Sequence, residues 1–109
     1  MTYVSSRPRA LRQPFVAAIV VTDIDSEQQI SSHTSDLSMH GCFVPTSTPL
    51  RLDAKVRIAI VHAGAKVAAF GRVVSTRADG LSIAFTKIEQ HDQAILERWL
   101  SNLRVREQD

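Results

Sequence analysis

The chain has 109 residues, of which 44% are hydrophobic and 22% charged, a balance typical of one soluble globular domain. It excludes a collagen-like, coiled-coil or wholly disordered chain, and the length excludes a multidomain enzyme. The formal net charge is +2, but the first 22 residues contain Arg7, Arg9 and Arg12 and no acid. Basicity confined to one segment suits a small anionic ligand better than nucleic acid, which requires a broad basic face.

The compartment is predicted from the cysteine content and the apolar runs. Cys42 is the one cysteine, so no internal disulfide forms. The longest N-terminal apolar run, residues 15–21, is far shorter than a membrane span and lacks a following cleavage site. We expect a cytoplasmic protein without a membrane span.

The first half of the chain predicts an arm followed by short strands. Pro8 and Pro14 oppose helix formation and favour extended geometry, so residues 1–14 are expected to be a flexible, arginine-bearing arm. Runs rich in β-branched and apolar residues then predict strands. These strands cover residues 15–22, 30–38 and 42–44, with a polar turn at residues 23–29 between the first two.

The second half predicts three more strands and a helix. Strict alternation marks residues 54–62, and further strands are expected at residues 66–75, with a bend or bulge at Gly71, and 81–86. A turn at residues 63–65 and the Asp79–Gly80 pair should connect them as hairpins. The next apolar residues follow a helical spacing, and Thr86 and Glu89 suggest a capping box. The spaced residues are Ile95, Leu96, Trp99, Leu100 and Leu103.

These elements predict a mainly β fold: a six-stranded antiparallel β-barrel with a C-terminal α-helix. The barrel and helix should occupy residues 15–104, and residues 105–109 should form a tail. A single amphipathic helix cannot hide its apolar stripe alone, so it should pack on the sheet or on a partner.

Few side chains point to catalysis or to a metal. No histidine pairs with another, or with Cys42, at zinc-like spacing, and the scattered glycines form no phosphate loop. No acid and base are placed together by sequence. We therefore expect no enzyme, no metal and no cofactor.

One polar motif stands at the end of a predicted strand. In an extended strand Asp36 and Ser38 project from the same face, where they present two carboxylate oxygens and a hydroxyl. Gly41 permits either a positive φ or a close approach of backbone. This face is suited to a polar ligand, with arginines of the arm folding over it; the alternative is a polar strand end closed by a Ser- or Asx-type turn.

The order of these features along the chain resembles the PilZ domain family. The basic arm precedes DxSxxG, then CFV, GRVVS at residues 71–75, GLSIAF at residues 80–85 and a helix. The resemblance covers the chain from about Arg7 to Leu103 and implies the barrel and helix described above. It also implies that Asp36 and Ser38 contact the guanine and phosphate groups of the bacterial second messenger cyclic di-GMP, and that Gly41 shapes the turn.

The arm departs from the family's second motif, RxxxR. Arg12 stands just before the first predicted strand, where the family has its second arginine, but Pro8 stands four residues earlier. Arg7 and Arg9 flank that position, and an irregular arm is able to deliver either one to the ligand. Arg7, Arg9 and Arg12 are thus the arginines that the resemblance assigns to the ligand.

The resemblance implies a bacterial receptor that binds cyclic di-GMP and relays the signal to an unidentified protein effector, in motility or biofilm regulation. The alternative is a PilZ-like adaptor that binds no nucleotide and acts by protein contact in pilus or flagellar regulation. A nucleic-acid-binding barrel is the least supported binding function, because aromatic residues make up only 6% of the chain.

Overall fold

The β-branched and apolar segments form eight strands, and the C-terminal amphipathic segment forms one helix. The computed structural model describes residues 13–108, with side chains over residues 13–102. The elements are β1 (Gln13–Pro14), β2 (Ala18–Asp23), β3 (Gln29–His33), β4 (Asp36–Leu37), β5 (Gly41–Pro45), β6 (Lys55–His62), β7 (Ala65–Arg77), β8 (Gly80–Ile88) and α1 (Gln90–Gln108).

All eight strands belong to one antiparallel sheet in the order β1-β4-β5-β8-β7-β6-β2-β3. Three residues separate β1 from β2, and two separate β3 from β4, although each pair lies at opposite ends of this order. The sheet therefore curls back on itself. The predicted class, a mainly β fold with an antiparallel sheet and one C-terminal helix, is confirmed; the predicted six-stranded barrel is an eight-stranded curled sheet.

The two additional strands are β1, which lies in the segment predicted to be the arm, and β4, which a break in a predicted strand separates from β3. The strand expected at residues 15–22 begins as β2 only at Ala18, and the strand expected at residues 30–38 breaks at Thr34 and Ser35. The buried Thr34 hydroxyl donates to the Phe15 carbonyl and accepts from the Ala17 N–H. At this break the Thr34 side chain therefore satisfies backbone N–H and C=O groups that would be paired with the neighbouring strand in a regular sheet.

The hairpins differ from the predicted ones in detail. Between β6 and β7, Ala63 and Gly64 both have positive φ, at 53° and 79°, as a tight two-residue hairpin requires. Between β7 and β8 the turn is Ala78–Asp79, so the prediction of a turn at Asp79–Gly80 was displaced by one residue. Gly80 belongs to β8, where an added Cβ would approach the Val44 carbonyl oxygen at 2.5 Å. The predicted irregularity at Gly71 is present as a register shift between Phe70 and Gly71.

The core lies inside the curled sheet and is closed by α1. The alternation of β6 places Val56, Ile58 and Ile60 inside, as predicted. From α1, Leu96, Trp99 and Leu100 join this core. The helix thus packs on the sheet. The predicted capping box was wrong: Thr86 lies within β8, and α1 begins at Gln90.

Candidate functional site

The Asp36–Gly41 motif forms a strand, a tight turn and the start of the next strand. Asp36 and Leu37 of β4 are opposite Phe43 and Cys42 of β5. The Ser38 N–H donates to the Gly41 carbonyl at 2.9 Å and closes the turn. The motif is therefore one β-hairpin, with Asp36 half-buried on one strand and Gly41 on the other.

The Ser38 hydroxyl serves this turn. Its side chain is buried, accepts a hydrogen bond from the His40 N–H at 3.0 Å and lies 3.4 Å from the Gly41 carbonyl, to which it donates. A hydroxyl has one donor and two acceptor positions, so one acceptor position remains for another group. The Ser-type turn considered from sequence is thus present, and ligand contact by Ser38 stays a prediction.

Gly41 is required for close packing of backbone. Among residues 13–108, Gly64 is the glycine with a positive φ, so the left-handed geometry considered for Gly41 is not used. An added Cβ at Gly41 would collide with the Ile83 carbonyl oxygen of β8. Its missing side chain therefore lets β5 lie against β8.

The pairing of β1 with β4 brings the start of the described chain to the motif. Gln13 is opposite Leu37, and Pro14 is opposite Asp36. Arg12 is covalently bonded to Gln13, so the arginine-bearing segment enters the fold beside Asp36. Arg7, Arg9 and Arg12 themselves lie outside the described residues.

Sequence reasoning missed two residues beside the motif, Phe43 and Arg77. Phe43 lies between Asp36 of β4 and Ser82 of β8 in the sheet register. The Arg77 guanidinium carbon lies over the Phe43 ring, 4.8 Å from its centroid, within cation–π range. The sequence signal for this contact is weak, because it depends on the pairing of β5 with β8, whose paired residues are 35 to 43 positions apart in the chain.

Two grooves elsewhere are both lined by the exposed Phe70 of β7. One has a volume of about 250 Å³ and includes Arg57 and Lys87, and the other has about 330 Å³ and includes Lys55 and Arg72. Neither groove is lined by Asp36, Ser38 or Gly41. They therefore do not belong to the predicted ligand site.

The groups considered for metal or thiol chemistry have structural surroundings. Cys42 is buried in the core, and His62 packs against the rings of Phe15 and Trp99, at centroid distances of 4.6 and 5.3 Å. Within residues 13–108, no three His, Cys, Asp or Glu side chains converge as a metal site. In the same part of the chain, no helix is long and apolar enough to cross a membrane.

Comparison with known families identifies the domain. The family model for the PilZ domain matches residues 6–102. The chain belongs to the PilZ domain family. This match includes the arginine-bearing segment from Arg7 onward and the hairpin that carries Asp36, Ser38 and Gly41.

Solved structures share the fold at low sequence identity. The PilZ domain of CeSA from a cellulose-synthesizing bacterium is 23% identical, with a TM-score of 0.71 over 85% of this chain and 97% of that one. The Bacillus subtilis inhibitor of motility, MotI/DgrA, is 13% identical, with a TM-score of 0.74 over 90% of this chain and 51% of that one. The Borreliella burgdorferi PlzA protein, solved in complex with c-di-GMP, is 18% identical, with a TM-score of 0.55 over 78% of this chain and 32% of that one. No curated protein sequence matches the chain significantly.

Proposed function

We propose that this PilZ domain is a receptor for cyclic di-GMP that relays ligand binding to a partner protein. The observation that carries the proposal is the β1–β4 pairing. Gln13 and Pro14 lie beside Leu37 and Asp36 of the DxSxxG hairpin, and Arg12 directly precedes Gln13 in the sequence. This pairing supports the proposal that both parts of the family's ligand-binding pattern form one site.

The chemistry of these residues suits the ligand. Cyclic di-GMP has two guanines and two phosphates, and an arginine fork pairs with guanine O6 and N7 or with phosphate oxygens. Arg12, with Arg7 or Arg9, supplies such forks, and the Asp36 carboxylate accepts hydrogen bonds from guanine N–H groups. These are groups for binding and orientation, so we propose a receptor and not an enzyme.

The solved relatives support this proposal. PlzA was solved in complex with c-di-GMP, and MotI/DgrA is an inhibitor of motility. We propose a relay to a protein effector because the residues of the motif offer groups for binding and orientation and none arranged for turnover.

Isothermal titration of cyclic di-GMP into the purified chain tests receptor function, with GTP and cyclic di-AMP as controls. We expect selective binding at micromolar strength or tighter. Arg12→Ala and Asp36→Ala should each weaken binding at least about tenfold, because a hydrogen bond to a charged group contributes roughly 1.5–3 kcal/mol. Asp25→Ala, which removes an exposed carboxylate paired with Arg51, is the matched control and should bind normally. If Arg12→Ala and Asp36→Ala both bind cyclic di-GMP with the affinity of the unaltered chain, the proposed site is wrong.

A second candidate is an adaptor that acts by protein contact without the nucleotide. Pro8, where the RxxxR pattern has its first arginine, is the observation that favours it. Absence of heat and of a thermal shift with cyclic di-GMP would support this candidate. A pull-down with and without the nucleotide separates the two functions, since a partner captured only in its presence contradicts the adaptor.

A further inference from the structure

We propose that Arg77, at the end of β7, supplies a guanidinium to the cyclic di-GMP site. The inference rests on the proposed receptor function and deepens it. It assigns the arginine that the RxxxR pattern lacks at Pro8 to a hairpin on the other side of the DxSxxG motif.

The sheet register places Arg77 beside the motif. Asp36 is opposite Phe43, and Phe43 is opposite Ser82 on the next strand. Arg77 is opposite Gly80, which is in turn opposite Pro45, two residues from Phe43. From this position the arginine reaches back along the sheet, and its guanidinium lies 4.8 Å from the Phe43 ring centroid.

The Phe43 ring is a fixed support for this guanidinium. Phe43 is 9% exposed, and an added Cβ at Gly80 would lie only 2.6 Å from the ring. The ring therefore lies against backbone at Gly80 and beneath Arg77. A planar guanidinium held over an aromatic ring is partly ordered before any ligand binds, which reduces the entropy lost on binding.

Arg77 is also available to a ligand. Its side chain is 63% exposed, and its one carboxylate partner among the described residues, Asp79, lies 3.6 Å away and is 76% exposed. Such exposed pairs are weak and yield readily to a phosphate or a guanine. Other arginines are engaged away from the motif: Arg51 and Arg72 pair with carboxylates of other loops.

The guanidinium offers what the proposed ligand needs. Its solvent-exposed surface can stack on a purine, and its N–H groups can pair with guanine O6 and N7. Lysine carries the same charge but has neither the plane nor the fork. Arg77→Lys therefore separates a geometric role of the side chain from simple charge.

Titration calorimetry with cyclic di-GMP on the full chain tests the inference, with Arg77→Ala, Arg77→Lys and Arg57→Ala as variants. Arg57 is the matched control: it is an exposed arginine on β6, opposite the exposed aromatic Phe70, and it lies three strands from β5 in the sheet. We expect Arg77→Ala and Arg77→Lys each to weaken binding about tenfold or more, and Arg57→Ala to bind as the unaltered chain does. Thermal unfolding without ligand should be similar for all, because both arginines are exposed.

Each outcome decides a different point. Equal binding by Arg77→Ala and the unaltered chain overturns the role of Arg77 and leaves the receptor function intact. If Arg77→Lys binds with full affinity and Arg77→Ala does not, Arg77 contributes only its positive charge. The proposed stacking and paired hydrogen bonds of its guanidinium are then wrong. Absence of binding by every variant, the unaltered chain included, overturns the receptor function and the role of Arg77 together.

Discussion

At the scale of single residues, the DxSxxG motif, which we propose binds the ligand, also stabilises its own fold. Ser38 and Gly41 both have structural tasks: the Ser38 hydroxyl closes the turn, and Gly41 allows β5 to approach the Ile83 carbonyl of β8. Asp36 is half-buried at the edge where β1 joins. Substitutions at Ser38 and Gly41 therefore affect stability, and Asp36 is the better position at which to test the proposed ligand binding.

Gly41→Ala should destabilise the domain strongly. The new Cβ collides with backbone, which cannot move aside as a side chain does, so we expect a loss of about 3 kcal/mol in the free energy of unfolding. Gly64→Ala is the matched control: its φ is +79° but its Cβ position is open, and the left-handed conformation costs about 1 kcal/mol. Urea unfolding of both variants measures the difference. Equal losses would contradict the close approach at Gly41.

At the scale of elements, the curled sheet depends on two interruptions held together by one side chain. Thr34 joins the loop between β1 and β2 to the break between β3 and β4 through hydrogen bonds to Phe15 and Ala17. The Thr34 N–H also donates to the Ala17 carbonyl at 2.9 Å. This junction lies next to β1 and β4 and therefore helps to position Asp36 beside Pro14.

Thr34→Val should lower the free energy of unfolding by about 2–4 kcal/mol. Valine has nearly the same shape, but it leaves the buried Phe15 carbonyl and Ala17 N–H without the hydroxyl, at a cost of about 1–3 kcal/mol for each buried polar group. Thr76→Val, at an exposed position of β7, should change stability by less than about 0.5 kcal/mol. Denaturant unfolding followed by circular dichroism tests the pair, and a neutral Thr34→Val would show that water or backbone replaces the hydroxyl.

At the scale of the whole molecule, the segment between β1 and β2 is in contact with the C-terminal helix. Phe15, three residues after Arg12, stacks on Trp99 of α1 with ring centroids 5.8 Å apart, and His62 of β6 contacts both rings. A ligand held by Arg12 would therefore act on the segment that packs against α1. This contact offers a route from the proposed site to the surface of the helix.

Cyclic di-GMP should change the fluorescence of Trp99, the one tryptophan of the chain. The change should saturate at the same nucleotide concentration as the calorimetric signal, because both follow occupancy of one site. GTP, which absorbs at similar wavelengths, is the optical control, and Phe15→Leu should reduce the change by removing the stacked ring. Heat of binding with unchanged emission would show that the site and α1 are not coupled through Phe15.

The amino-acid sequence by itself determined the features that depend on residues close together in the chain. Alternation in residues 54–62 predicted β6, the helical spacing of Leu96, Trp99 and Leu100 predicted α1, and DxSxxG indicated the family. These signals are local, because the periods of strand and helix and the chemistry of a turn depend on neighbouring residues. The predicted capping box was wrong because a tertiary contact outweighs the local preference for a helix start at Thr86. Pairing with β7 extends β8 through Thr86 to Ile88.

Only the tertiary structure decided which distant residues meet. Nothing near Thr34 in the sequence indicates Phe15 and Ala17 as its partners, and nothing near Phe43 indicates Arg77, because both contacts follow from the pairing of strands distant in the chain. The reason for Gly41 likewise became visible only when Ile83 was placed against it. Local periodicity selects the elements, whereas burial of one shared core selects their register, and the register determines which side chains surround the proposed site.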